Sequence, residues 1–137
     1  MTVKEYLSQA FSLDQRINCK LEQVARLREL AEKATQTISD MPGSATRNTH
    51  RMEETIVKMI DLENEINDDI DKLIDIKREI THMINGLSNP EEQTLLELRY
   101  LCFKTWEQIS VDTGYTLNNI YKLHAKALKN LPYAPKV

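Results

Sequence analysis

The chain has 137 residues, a net charge of -3 and 41% hydrophobic residues, enough apolar side chain for a modest core in one or two domains. Three glycines, four prolines and 6% aromatics are low counts for a sheet protein, and no useful β-type alternation occurs, so an all-α fold is expected. Cys19 and Cys102 fit neither a metal-ligand spacing nor a redox pair, no apolar run is long enough for a signal peptide or a membrane span, and no phosphate loop or nucleophile-base pairing is present. These absences predict a reduced, soluble, cytoplasmic protein with no cofactor, no metal site, no membrane contact and no enzymatic activity.

Thr2-Val3-Lys4-Glu5 reads as a capping box that starts a helix. Apolar or small residues then recur at Val3, Leu7, Ala10, Leu13, Ile17, Leu21, Val24, Leu27, Ala31, Ala34 and Ile38, a stripe of coiled-coil type. Ser12 with Gln15 offers a second cap, which leaves open one helix or a short helix followed by a long one. Residues 41–48, with Pro42 and Gly43, read as a connecting loop.

A second long helix is expected over about residues 50–85. Its seam is read at Met52, Ile56, Met59, Ile66, Ile70, Leu73, Ile80, Ile84 and Leu87, with Glu63 and Lys77 at two seam positions beside Leu62 and Ile76. Asp68, Asp71 and Asp75 then lie on a solvated face. Long helices with narrow apolar stripes and a short connection predict an antiparallel hairpin over residues 1–87, an interaction or oligomerisation element. Homodimerisation through it stays open, because the same stripes can satisfy each other within one chain.

Residues 86–90 form the expected domain boundary: Asn89 can cap, Pro90 suits the first helical position, and Glu91 and Glu92 complement the helix dipole. A third helix follows to about Cys102 or Phe103, with Leu95, Leu98 and Leu101 or Cys102 inward. Thr105 and Gln108 cap a fourth helix with Ile109 and Ser110 at a helix crossing, Gly114 supplies a turn residue tolerant of positive φ, and Thr116 caps a fifth helix. Ile120, Leu123, Ala127 and Leu131 give that last helix its inward stripe, before Pro132 and Pro135. A short helix, a glycine turn and a longer helix make a helix-turn-helix over residues 88–137, whose second helix enters the major groove of double-stranded DNA.

Charge is distributed to match. Residues 1–87 hold 12 Lys/Arg against 16 Asp/Glu, residues 88–137 hold 6 against 5, and no acidic side chain follows Asp112 while Lys122, Lys126, Lys129 and Lys136 remain. A basic end on an acidic protein steers that end toward phosphate. Trp106 is expected in the core at the helix junction, and His124 reads as either a phosphate donor or an exposed bystander. His50 and His82 have no partner spacing for metal or catalysis.

Residues 116–131, from Thr116-Leu117-Asn118-Asn119-Ile120 to Ala125-Lys126-Ala127-Leu128-Lys129-Asn130-Leu131, resemble the recognition helix of region 4 in bacterial sigma factors of the sigma-70 family. Glu97-Leu98-Arg99-Tyr100 and Thr105-Trp106-Glu107-Gln108-Ile109-Ser110 are similar to the segments that precede it there. Over its whole length the chain also resembles small sigma-region-4-like regulators of phages and integrated elements of Gram-positive bacteria. The resemblance implies an accessory to RNA polymerase in phage or mobile-element transcription, with Arg99 and Thr105 against phosphate. It also implies a DNA-contacting set of Thr116, Leu117, Asn118, Asn119, Tyr121 and Lys122, with Lys126 and Lys129 touching DNA or a neighbouring activator. Sigma factors carry Arg and Glu at the positions of Leu117 and Asn118, which implies a different target: leucine packs on a thymine methyl and asparagine reads adenine. Residues 1–87 have only Tyr6 and Phe11 as aromatics and cannot supply a stacking platform for opened strands. The alternative reading is a small-terminase-like packaging adaptor, which also joins a helix-turn-helix to an oligomerising hairpin.

Overall fold

The structure, a computed structural model, describes residues 1–40 and 45–132, the side chains of 37–40 and 45–48 excepted. It is all-α, with no strand among the described residues. Helix α1 spans Val3–Asp40, α2 Ala45–Asn85, α3 Pro90–Leu96, α4 Trp106–Thr113 and α5 Leu117–Asn130, with a π-helical turn at Glu97–Leu101. No described helix is long and apolar enough to cross a membrane. Of the expected loop at 41–48, residues 41–44 lie outside the described residues, and α2 begins at Ala45, several residues earlier than expected.

The Thr2 cap is present: its hydroxyl accepts from the Glu5 amide at 3.2 Å, and the Glu5 carboxylate accepts from the Thr2 amide at 3.3 Å. From there α1 runs without interruption, so Ser12 and Gln15 do not divide it. Nothing at that point removes a backbone donor, and Leu13 and Ile17 continue the buried stripe across it.

The chain forms two compact units, Gln15–Asp71 and Met1–Asp14 with Lys72–Val137. In the first of these α1 and α2 run antiparallel. Lys20 Nζ lies 2.6 Å from Asp69 Oδ2 and 3.7 Å from Glu65, Arg28 lies 3.9 Å from Glu63, and the Thr35 hydroxyl lies 3.1 Å from Met52 Sδ. Rising numbers on one helix thus meet falling numbers on the other. The seam departs from the expected one where Lys20 and Asp69 turn inward, Asp69 being only 5% exposed, while the neighbouring Leu21 and Ile70 turn outward. Leu62 and Ile76, not Glu63 and Lys77, occupy the inner positions of α2, and Ile56 is also exposed. The physical reason is that a buried lysine-carboxylate contact at 2.6 Å satisfies both charges at once, while Leu21 and Ile70 keep part of their surface covered at the flanks.

The other unit has its own core. Leu7 and Ala10 of α1 and Ile80 and Ile84 of α2 pack with Leu87, Leu96, Tyr100, Ala127 and Leu131. Residues 87 and 88, between which the sequence suggests a boundary, therefore both lie inside one unit, and the C-terminal helices do not pack separately beyond Gly86. The cause is the width of the apolar surface on α3 and the turn after it, which has faces toward two clusters. Leu96, Tyr100 and Leu101 join the core just named, while Leu95 and Leu98 pack with Ile109, Ile120, Trp106, Tyr115 and Leu123.

The inward lysine and aspartate should behave as a pair. Lys20→Met alone leaves Asp69 buried with its strongest counter-charge gone and is expected to cost about 2–4 kcal/mol, read as a lower urea midpoint. Lys20→Met combined with Asp69→Leu should recover most or all of that loss, because an apolar pair fills the same seam without desolvating charge.

Candidate nucleic-acid interface

Each element around α5 begins with a local signal that the structure realises. Asn89 Oδ1 accepts from the Glu91 amide at 2.9 Å, and Pro90 opens α3. Thr105 and Gln108 form a full capping box at the start of α4, at 3.2 and 3.0 Å. The α4–α5 turn is set by Gly114 at φ +77°, a left-handed conformation that L side chains adopt only at a cost. The Ser110 hydroxyl donates to the Tyr115 carbonyl at 2.5 Å, and the Thr113 hydroxyl donates to the Ile109 carbonyl at 2.7 Å. The Glu91 carboxylate accepts from the Tyr115 hydroxyl and holds its pKa above the ordinary value, which ties the turn to α3. Thr116 then caps α5 by accepting from the Asn119 amide at 3.2 Å.

Helix α5 is strongly two-faced. Ile120, His124, Ala127 and Leu131 are buried, and Leu123 and Leu128 are half-buried. At 100° per residue, the direction opposite this core holds Asn118, Lys122, Ala125 and Lys129, flanked by Asn119, Tyr121 and Lys126, all of them exposed. Leu117, at 36% exposure, sits where this face meets the turn. The helix contains no acidic residue, and no ion pair among the described residues uses Lys122, Lys126 or Lys129. Seven of the ten residues expected at the interface, Leu117, Asn118, Asn119, Tyr121, Lys122, Lys126 and Lys129, thus share one helix and are exposed. Thr105 and Thr116 are exposed caps whose hydroxyls already serve backbone amides.

Arg99 is half-buried and occupied locally. Its guanidinium lies over the Trp106 ring at 4.3 Å, and Nη1 donates to the Lys104 carbonyl at 3.0 Å. Trp106 in turn meets Tyr121 edge-on at 5.7 Å, so a continuous series of contacts runs from Arg99 to the exposed face of α5. Lys104 pairs with Asp112 at 2.5 Å, and that hydrogen bond raises the lysine pKa above its ordinary value.

His124 is neither an exposed bystander nor placed to meet phosphate. It is 9% exposed, its Nε2 lies 2.6 Å from the Tyr100 hydroxyl, and its ring packs edge-on against Trp106 at 4.7 Å. Burial, with Lys4 and Arg99 adding repulsion, lowers its pKa to about 4. The sequence carries a signal for this placement: residue 124 stands four after Ile120 and three before Ala127, on the inward stripe itself. Burial of Glu92, 1% exposed with its carboxylate accepting from Asn130 Nδ2 at 3.1 and 3.3 Å, has no comparable local sign.

A histidine kept neutral by its surroundings makes stability depend on pH in a defined sense. The unfolded chain binds the proton near pH 6.5 and the folded chain only near 4, so folding stability is complete above about pH 7.5. It should fall by up to roughly 3 kcal/mol as pH drops through 6.5 toward 4. Urea unfolding at pH 5 and pH 7.5 tests this: His124→Phe should remove most of the slope above pH 5, where few carboxylates titrate. Independently, Gly114→Ala should destabilise by about 1–2 kcal/mol, although an added Cβ meets nothing within 4 Å, because the cost lies in the backbone angle.

A protein-family model described as "Protein of unknown function (DUF1492)" matches residues 42–132. No curated protein and no solved structure matches the chain.

Proposed function

This chain belongs to the DUF1492 family, and we propose that its C-terminal helices bind double-stranded DNA sequence-specifically, as a transcription regulator accessory to bacterial RNA polymerase. The observation that carries the reading is the exposed face of α5: three lysines without ion pairs among the described residues and no acidic side chain on the helix. The glycine turn presents this face beyond the shorter α4. A helix of 14 residues is about 21 Å long and fits the major groove, which is about 12 Å wide.

In this reading α5 enters the groove with Asn118 toward an adenine edge and Leu117 against a thymine methyl. Lys122, Lys126 and Lys129 neutralise phosphates, and Tyr121 and Asn119 line the flanks. The N-terminal turns of α4 and α5, at Thr105 and Thr116, offer backbone N–H groups to the sugar-phosphate backbone. Arg99, resting on Trp106, keeps its charge near the same surface while it braces the junction. Resemblance to sigma region 4 supplies the link to RNA polymerase and to phage or mobile-element promoters. With no strand-opening platform in residues 1–87, the protein acts beside a complete sigma factor.

Binding assays at several salt concentrations test the DNA contact. Lys122→Ala and Lys126→Ala should each weaken binding on any sequence and lower the slope of log affinity against log salt by about one. Asn118→Ala should cost about 1–3 kcal/mol on the preferred site and little on random DNA. Equal losses on both would remove Asn118 from the reading set. In transcription with purified components, the protein should change output from its promoter only when a full sigma factor is present, and initiation with core polymerase alone would contradict the accessory role.

A further inference from the structure

A small cavity lies within the unit formed by Met1–Asp14 and Lys72–Val137, between the start of α1 and the π-helical turn. Lys4, Ser8, Phe11, Arg99, Tyr100 and Phe103 line it, and no carboxylate is among them. Its volume is about 100 Å³, well below the roughly 300–1,000 Å³ of clefts that take drug-sized molecules, so it admits a small ion or one terminal group of something larger. Its aromatic walls are fixed by contacts of their own. The Phe103 ring meets Phe11 edge-on at 5.7 Å, and Tyr100, 5% exposed, is tied to His124.

Positive charge gathers here without a counter-charge. No ion pair among the described residues uses Lys4, Lys77 or Arg99, and the Lys77 ammonium stands 4.8 Å from the centre of the Phe103 ring. Lys4 and Arg99 both act on His124, so their charges converge on the neighbourhood of Tyr100. Arg99 and Lys77 have evident duties on Trp106 and Phe103. The Lys4 side chain has none among the described residues, since only its backbone carbonyl is engaged, by the Ser8 hydroxyl at 2.7 Å. Like charges gathered in this way work against the compact state until an anion joins them. The Arg99 guanidinium is already held by Trp106 and by its bond to the Lys104 carbonyl, and its remaining N–H groups have no partner among the described residues, so a ligand would have to order little more than Lys4.

We propose that this cavity binds a phosphoryl group between the Lys4 ammonium and the Arg99 guanidinium. Charge and size select it. A phosphate dianion matches two fixed cations where a carboxylate matches one, and a tetrahedral oxyanion fits a volume that a sugar or aromatic ring does not. Free phosphate and the terminal phosphate of a nucleotide share this chemistry, with the nucleoside of the latter lying outside the cavity.

Amide shifts in NMR spectra of the full chain, titrated with sodium phosphate at pH 7.5 under constant ionic strength, test the site. Saturable shifts are expected at residues 4, 8 and 99–103, with acetate binding far more weakly. Lys4→Gln should weaken phosphate binding about tenfold, the loss expected when a charged hydrogen-bond partner is removed. Ser8→Asp sets a carboxylate in the cavity and should abolish the response with helix content unchanged by circular dichroism. Lys58→Gln, which removes the same charge in the other unit, should change nothing. Adenosine 5′-monophosphate in place of phosphate separates the sources: equal affinity identifies free phosphate, and clearly tighter binding identifies a nucleotide. No saturable shift at these residues, equal affinity in Lys4→Gln, or shifts confined to Lys122, Lys126 and Lys129 would overturn the proposal. So would a Lys4→Gln chain whose phosphate affinity is unchanged while its salt slope for duplex DNA falls by about one, which would assign the cavity to the DNA backbone. The phosphate titrations contain no DNA, so their failure leaves the DNA reading standing.

Discussion

The C-terminal helices depend on one wide turn. At Glu97–Leu101 the helix opens from four-residue to five-residue closure, with the Cys102 amide donating to the Glu97 carbonyl at 3.0 Å. That extra residue rotates the backbone beyond it, so Leu95 and Leu98 address α4 and α5 while Leu96, Tyr100 and Leu101 address the ends of α1 and α2. A regular α-helix over the same residues would turn Tyr100 away from its present position, and with it the hydroxyl that meets His124. The insertion therefore lets one short segment belong to two clusters at once.

Two polar contacts then fix α5 against that segment. Tyr100 reaches His124 in the middle of α5, and Glu92 reaches Asn130 at its end. The first is buried and the second part-buried, with Glu92 itself out of water, where a hydrogen bond left unmade is costly and directional preference is strong. Glu92 also stands in the first turn of α3, where the helix dipole favours a carboxylate. Apolar packing alone would allow α5 to slide by a fraction of a turn. These contacts hold one rotation, the one that turns Asn118, Lys122 and Lys129 outward.

Legibility in the chain divides between local and distant causes. The caps at Thr2, Asn89, Thr105 and Thr116 and the turn at Gly114 were all legible, since each is decided by residues within three or four positions of one another. The hairpin seam was not, because Lys20 adjoins Leu21, Asp69 adjoins Ile70 and Ile76 adjoins Lys77, and a seven-residue period accepts either member of each couple. Only the partner helix decides, and here it decided for the charged residues at Lys20 and Asp69. Similarly, Gly86 and Pro90 mark a real break in the helices, but whether a break in helix is also a break in packing depends on Leu7, Ala10 and Ile80, far away in the chain. On α5 the lysine face could be anticipated from periodicity, whereas the seating of Arg99 on Trp106 required the π-helical turn, for which the sequence has no simple mark.

Phe103 comes just after that turn at φ 59°, the one described non-glycine residue in the left-handed region. Its ring meets Phe11 edge-on at 5.7 Å, with the Lys77 ammonium 4.8 Å from its centre. Position 103 is thus pulled in two directions during divergence: glycine would suit the backbone and lose the ring, while any other side chain inherits the strain without the contacts that offset it. A lineage that relaxes the backbone there releases Phe11 from its partner, and an aromatic at 11 is then merely exposed apolar surface on α1. The two positions, 92 residues apart in the chain, are expected to be gained and lost together as such chains diverge.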